Sequence, residues 1–235
     1  MASGNVWPND GPQRYRKRRP LPAFILILLL FVAATVVWLN VMTDEAATAN
    51  DIHCDPPGPQ PSTEQTAPPA APTTLGKPMG YDSLDRTVPA PPNQIQVRVV
   101  NASSKKGAAR IVTESLRQLG FEQVTEPTND PLYGDTMTCR AQIRFGPQGT
   151  SAARTLSLLD PCAELVRDER KDGTVDMVLG GEFDSLRPNA QARTALEQLT
   201  QWAVDHPETR GGLQANGPQP DIAADLLDGA RQVRC

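Results

Sequence analysis

The sequence predicts an α+β fold: a small sheet of about four strands with two helices packed on one face, in the order βαββαβ. One transmembrane helix precedes this unit and further helices follow it. Three observations carry the prediction. Residues 23–42 form an unbroken apolar run. Four later segments carry apolar residues at strand-like spacing, and two segments between them repeat apolar residues at helical spacing. Alternation of the first kind sets one face of a sheet against a core and the other outward.

The apolar run, Ala23 to Met42, reads AFILILLLFVAATVVWLNVM, with Thr35 and Asn40 as its strongly polar members. At 1.5 Å of rise per residue, about 20 residues cross a hydrocarbon layer of ~30 Å, and lipid leaves a helix as the natural spanning form. Arg14, Arg16, Lys17, Arg18 and Arg19 stand before the run; Asp44 and Glu45 follow it. The positive-inside rule therefore predicts a cytoplasmic N-terminus and an extracytoplasmic remainder. Trp38 takes the place of an interfacial aromatic. The competing reading is a cleaved signal peptide, with Ala47-Thr48-Ala49 as its cleavage site, although the run exceeds the ~7–15 apolar residues usual there. Both readings export the rest of the chain.

The chain of 235 residues thus divides into a basic cytoplasmic tail (1–22), the anchor (23–42), a proline-rich extracytoplasmic linker (43–93), a folded domain (94–184) and a helical extension (185–235). Net charge is −4, and no long basic stretch follows the anchor, which argues against a nucleic-acid partner. Aromatic residues make up only 5%, too few to suggest a large aromatic-lined sugar or base groove. Cys54, Cys139, Cys162 and Cys235 all follow the anchor, and an even number in an exported segment points to disulfides. They lack C-x-x-C spacing and are accompanied by only His53 and His206, so neither a metal site nor a cofactor is expected.

The linker contains DPPGPQPSTEQTAPPAAPTT, whose prolines favour extended conformations that hold a domain away from a membrane. Ser62, Thr63, Thr66, Thr73 and Thr74 among them are potential acceptors of O-linked sugar. Tyr81 and Leu84 are expected to pack onto the domain ahead. Ile95, Val97 and Val99 alternate with polar residues and define the first strand. Asn101 to Ser104 supply capping residues. Gly107 to Leu119 is a helix with Ala108, Ile111, Val112, Leu116 and Leu119 on one side, ended by Gly120. Phe121 to Val124 is a second strand, and Glu126 to Asp135 a loop. Cys139 to Phe145 is a third strand. Ser151 to Leu159 is a helix that bends or stops at Pro161, and Thr174 to Gly180 is a fourth strand.

Arg187 to Val204 forms a further helix with Pro188 in its first turn. Asp221 caps a short helix holding Ile222, Ala223, Leu226 and Leu227. An internal correspondence supports this layout: Val97 and Val99 match Ala141 and Ile143, and Ala108-Ala109-Arg110 matches Ala152-Ala153-Arg154. Two strand–turn–helix halves of this kind pack as one sheet with both helices on one side, resembling a split βαβ arrangement.

The stretch VRVVNASSKKGAARIVTESLRQLGF, with Val97, Val99, Asn101, Ala102, Gly107, Ala109, Gly120 and Phe121, resembles the LytR C-terminal domain family. IRFGPQGTSAA and VDMVLGGEF resemble that family's second strand–helix unit and closing strand. The resemblance covers roughly residues 94–184. In full LytR-type ligases this module follows a polymer-transferring catalytic domain, and no such domain fits between anchor and module here. With the single anchor, proline linker and four cysteines, it implies a non-catalytic protein that maintains a mycobacterial-type cell envelope. Its expected partners are a cell-wall polymer or lipid-linked precursor, or envelope assembly proteins.

The candidate ligand-binding residues are Asn101, Ser103, Ser104, Lys105 and Lys106. A helix start offers free N–H groups and partial positive charge to a phosphate or carboxylate. The plainer reading is that the serines cap, the lysines are solvated and Asn101 holds the turn through an Asx-type bond. No catalytic residue is assigned. His53 and His206 lie in no recognisable motif, while Glu114, Asp160, Glu164, Glu182 and Asp184 are expected to be solvated; a cell-wall enzyme is the alternative class. Cys139 opens a strand and Cys162 closes the helix fed by it, which predicts a Cys139–Cys162 disulfide. Cys54 is left with Cys235; the alternative is that one of these stays free or bridges two molecules.

Overall fold

The computed structural model describes residues 24–35, 52–58, 74–207 and 217–235. The chain divides into two units, residues 1–46 and 47–235. In the first, residues 24–35 form helix α1, whose apolar side chains are exposed all along it, from Phe24 at 67% to Val32 at 50%. No helix among the described residues is long and apolar enough to cross a membrane. The basic tail, residues 36–42 of the apolar run, Ala47-Thr48-Ala49 and linker residues Ser62 to Thr73 lie outside the described residues.

The second unit is built on a seven-stranded sheet, where about four strands are expected from the sequence. Its strands are β1 (Lys77–Met79), β2 (Gln96–Asn101), β3 (Gln123–Val124), β4 (Thr128–Asn129), β5 (Ala141–Phe145), β6 (Glu164–Arg167) and β7 (Val175–Leu179). The helices are α2 (Ala108–Gln118), α3 (Thr150–Leu159), α4 (Ala190–Asp205) and α5 (Ala224–Arg231). The order across the sheet is β1-β6-β5-β7-β2-β3, with β4 also on β2. β2–α2–β3 and β5–α3–β6 are each a parallel pair joined by a helix. Their strands are adjacent, so neither unit is split; β7 lies between the two units, parallel to β2 and antiparallel to β5.

Alternation sorts the strand side chains onto two faces. Val97, Val99, Ala141, Ile143, Phe145, Leu165, Val175, Met177 and Leu179 join one core with Ala109, Val112 and Leu116 of α2 and Ala153, Leu156 and Leu159 of α3. Both helices thus share one face, as expected. Ala109 and Ala153 occupy matching early positions in the two helices, and both are buried. The opposite face carries Val100 and Val178, covered by Tyr133, Met137, Cys54 and Cys139.

Helix ends depart from expectation in detail. α2 is preceded by Gly107 in the left-handed region (φ 82°) with no side-chain cap, so neither Ser103 nor Ser104 caps it. Gly120 (φ 91°) ends it as predicted, and the Phe121 N–H reaches back to the Leu116 carbonyl at 3.1 Å. α4 starts at Ala190 rather than Arg187, because Asn189 caps it by accepting the Ala192 N–H at 2.8 Å. α5 starts after Ala223, and Asp221 is not its cap. Leu158 of α3, Ala192 and Ala195 of α4 and Ala230 of α5 form a separate small core, placing the C-terminal helices against α3.

The end of the proline-rich segment belongs to this fold. β1 pairs antiparallel with β6, and Leu84 is buried in the main core. The Tyr81 hydroxyl donates to the Arg231 carbonyl at 2.7 Å.

All four cysteines are bonded, with a pairing that corrects the expected one: Cys54 with Cys139 and Cys162 with Cys235. The geometry behind the expected pair is nearly right, since the end of α3 does return to the start of β5. There, however, Arg140 meets Asp160, at 2.9 Å. Cys139 belongs to the cluster on the other face of the sheet, beside Cys54. One step along an extended chain changes the face.

Candidate functional site

The predicted ligand residues come together in the turn between β2 and α2, in three different roles. Asn101 is buried; its Oδ1 accepts from the Ser103 N–H at 3.3 Å and the Ser103 hydroxyl at 3.1 Å, and its Nδ2 donates to the Lys105 carbonyl at 3.3 Å. Ser103 is buried too, and its hydroxyl oxygen accepts the Lys105 N–H at 3.3 Å. These two side chains hold the turn as an Asx-type network. Lys105 Nζ donates to the Phe183 carbonyl at 2.8 Å, tying the turn to the segment after β7. Ser104 and Lys106 are exposed.

A second polar constellation occupies the sheet face opposite α2 and α3. Asp176 of β7 accepts from Nε and Nη2 of Arg98 at 2.9 and 2.8 Å and from Nη2 of Arg170 at 2.7 Å. Burial alone raises the Asp176 pKa, but the hydrogen bonds from Arg170 and Arg98 outweigh it and leave the carboxyl below the ordinary range. Arg170 also holds Asp168 at 2.6 Å; burial opposes its charge, and the bonds to Asp168 and Asp176 prevail, so its pKa rises. Next along the face, Arg144 makes a bidentate pair with Asp130, both contacts at 2.9 Å, and its Nε donates to Gln142 Oε1 at 2.9 Å. A cleft of about 210 Å³ opens between Arg98, Asn129, Asp130, Arg144 and Asp176. Its guanidinium groups are matched by carboxylates, so it offers directional hydrogen bonds with little excess charge.

At the far edge of this face, Nδ1 of His53 lies 2.8 Å from Oε1 of Glu164; His53 is 63% exposed and Glu164 5%. Glu164 also accepts from Gln142 Nε2 at 2.8 Å, and the Tyr133 hydroxyl donates to the Asp55 carbonyl at 2.7 Å. Burial raises the Tyr133 pKa. The Cys54–Cys139 bond is what brings His53 here.

The remaining carboxylates divide. Glu114 and Glu182 are exposed, and Glu114 pairs with Arg117 at 2.6 Å. Asp160 is buried, contrary to expectation, and that burial outweighs Arg140 and raises its pKa. Asp184 is exposed and held at about 2 by its bond from Arg140. His206 stacks on Trp202, with ring centroids 4.5 Å apart.

Sequence reasoning missed the face of Arg98, Gln142, Arg144 and Asp176, because polar residues alternating within a strand read as solvent-facing. The available signal was Leu132, Tyr133 and Met137, apolar residues in a loop with no other core to join.

The α+β module that carries this turn and this polar face falls within a LytR_C-type domain. The LytR_C family model, described as LytR cell envelope-related transcriptional attenuator, matches residues 94–183. The chain is 35% identical over 206 residues to the cell envelope integrity protein Cei of Mycobacterium tuberculosis, covering 87% of this chain and 91% of that one, and it belongs to that LytR_C-containing family. It is also similar to the crystal structure of the soluble domain of a conserved hypothetical secreted protein from Mycobacterium marinum. That match has 34% identity and a TM-score of 0.55, and covers 68% of this chain and 99% of the other.

Proposed function

We propose that this protein is a non-catalytic, membrane-anchored extracytoplasmic protein that maintains cell envelope integrity, by binding cell-wall polymers or lipid-linked precursors or by scaffolding the enzymes that assemble them. The observation that carries the reading is 35% identity to the integrity protein Cei along 87% of the chain. Two further features support it. The apolar side chains of α1 are exposed, as suits a helix that lies in lipid. Two disulfides suit an oxidising compartment.

Within this reading, the turn of Asn101, Ser103, Ser104, Lys105 and Lys106 contacts an anionic ligand through Ser104 and Lys106, while Asn101, Ser103 and Lys105 shape it. Purified protein is mixed with peptidoglycan–arabinogalactan fragments and both binding and turnover are measured. Binding without turnover, weakened by Lys106→Glu with folding intact, is the expected result. Turnover sinks the non-catalytic reading, and equal binding by Lys106→Glu removes the turn from the contact surface. Loss of envelope barrier function on deletion, restored by the full chain, tests the physiological role; an unchanged barrier contradicts it.

A second reading, a cell-wall-modifying enzyme, draws on the His53–Glu164 pair, an exposed imidazole held by a buried carboxylate in the manner of a general base. Turnover abolished by His53→Ala is its signature.

A further inference from the structure

The internal A-A-R correspondence breaks at its third letter. Arg110 on α2 is exposed, whereas the side chain of Arg154 on α3 is fully enclosed, at 0% exposure. Its Nη1 donates to Oδ1 of Asp85 at 2.7 Å, while Nε and Nη2 meet no acceptor among the described residues. A second guanidinium, Arg231 of α5, lies 3.4 Å from the same Asp85 oxygen and 3.3 Å from the Ser157 hydroxyl. Its Nη2 donates to the Tyr81 carbonyl, the Tyr81 ring covers it at 3.9 Å, and its Nε meets no acceptor among the described residues.

Two buried cations therefore share the Asp85 oxygen, the exposed Asp228 acts on Arg154 only through its charge, and three of the guanidinium nitrogens meet no acceptor among the described residues. Such an arrangement costs the fold, because enclosed charge needs both a counter-charge and filled hydrogen bonds. Burial and the neighbouring Arg231 both press the Arg154 pKa below its ordinary value. Asp85, 38% exposed, is the hydrogen-bonded carboxylate of the cluster and reaches solvent. A tetrahedral oxyanion carries more acceptor oxygens than a carboxylate, and paired guanidinium groups match it well.

We propose that Arg154 and Arg231 form a binding site for a phosphate-type oxyanion, entered past Asp85, whose carboxylate the ligand displaces from the two guanidinium groups. The site lies apart from both the β2–α2 turn and the polar sheet face, and it extends the envelope reading without depending on it. The phosphate is either a free ion or the group of a lipid headgroup.

The test uses the full chain in detergent, titrated calorimetrically at fixed ionic strength with inorganic phosphate, and separately with glycerophosphoglycerol as the lipid-headgroup phosphate. Asp85→Asn removes the competing charge and tightens phosphate binding about tenfold; Arg231→Gln weakens it by about tenfold or more. Circular dichroism establishes that each variant is folded, and these two are chosen because Arg154 variants risk unfolding. That pattern with inorganic phosphate alone assigns a free ion, and the same pattern with glycerophosphoglycerol assigns a headgroup. No binding of either probe, or binding equal in all three proteins, overturns the proposal.

Discussion

Asp176 on β7 stands directly opposite Arg98 on β2 in the parallel register, with the guanidinium Nε 2.9 Å from its Oδ1. Arg170 closes on it at 2.7 Å. The pair thus records the alignment of two central strands in charge. Asp176→Asn leaves the half-buried Arg98 without its carboxylate and the enclosed Arg170 with Asp168 alone, and is expected to cost about 3 kcal/mol at neutral pH. The Asp176 pKa is lowered in the fold, so its stabilisation is complete above the ordinary Asp value near 3.9 and is lost as pH falls through the folded value. Urea unfolding of both proteins at neutral pH and at about pH 2 is expected to show the gap narrowing in acid. A gap that persists at low pH refutes the charge argument.

Non-reducing peptide mapping is expected to yield a 54–139 crosslink and a 162–235 crosslink, closing loops with sequence separations of 85 and 73. Replacing either pair with serine is expected to lower stability by about 2–4 kcal/mol through the freed unfolded chain. A 139–162 crosslink contradicts the assignment of Cys139 to the face opposite α3.

Leu84 precedes the family-matched region yet is 1% exposed in the main core. Leu84→Ala is expected to cost about 2–5 kcal/mol. Thermal unfolding measures it; a change below about 1 kcal/mol means that residues 75–93 contribute little to the folded unit.

Gly180 closes β7 against the start of β5. A Cβ there lies 2.0 Å from the Cys139 carbonyl oxygen, which is backbone and has no rotamer with which to retreat. Gly180→Ala is therefore expected to cost upwards of about 2 kcal/mol and to expose the Cys54–Cys139 bond to faster reduction, read by thiol labelling. Wild-type stability and labelling rate together contradict this close approach.

The central elements were legible because their periodicity is undisguised: Val97, Val99, Ile143, Phe145, Val175 and Met177 all face the predicted core. β6 escaped notice because Glu164 and Arg167 bracket only two apolar residues; its identity comes from pairing with β5, a non-local fact. β1 has Pro78 at its centre and two exposed residues, so nothing in Lys77–Met79 announces a strand before β6 is there to receive it. At the β2–α2 turn, residue types were readable but not their division of labour. Whether a serine caps a helix or a lysine bonds a distant carbonyl depends on where Phe183 lies. The polar face was hidden by the period-two rule itself, which reads Arg98 and Asp176 as facing water.

Both ends of the proline-rich segment are fastened to the same folded unit, Cys54 through its bond to Cys139 and Lys77–Met79 through pairing with β6. Cys54 and Lys77–Met79 are thus two separate points at which the chain before residue 94 is held by this unit. Proteolysis then has two distinct outcomes. A cut before Cys54 severs the unit outright, whereas a cut between residues 59 and 73 leaves two chains joined by one disulfide. The two pieces stay covalently joined until a reductant opens that bond, so the integrity of a nicked chain is decided by thiol chemistry as much as by proteases.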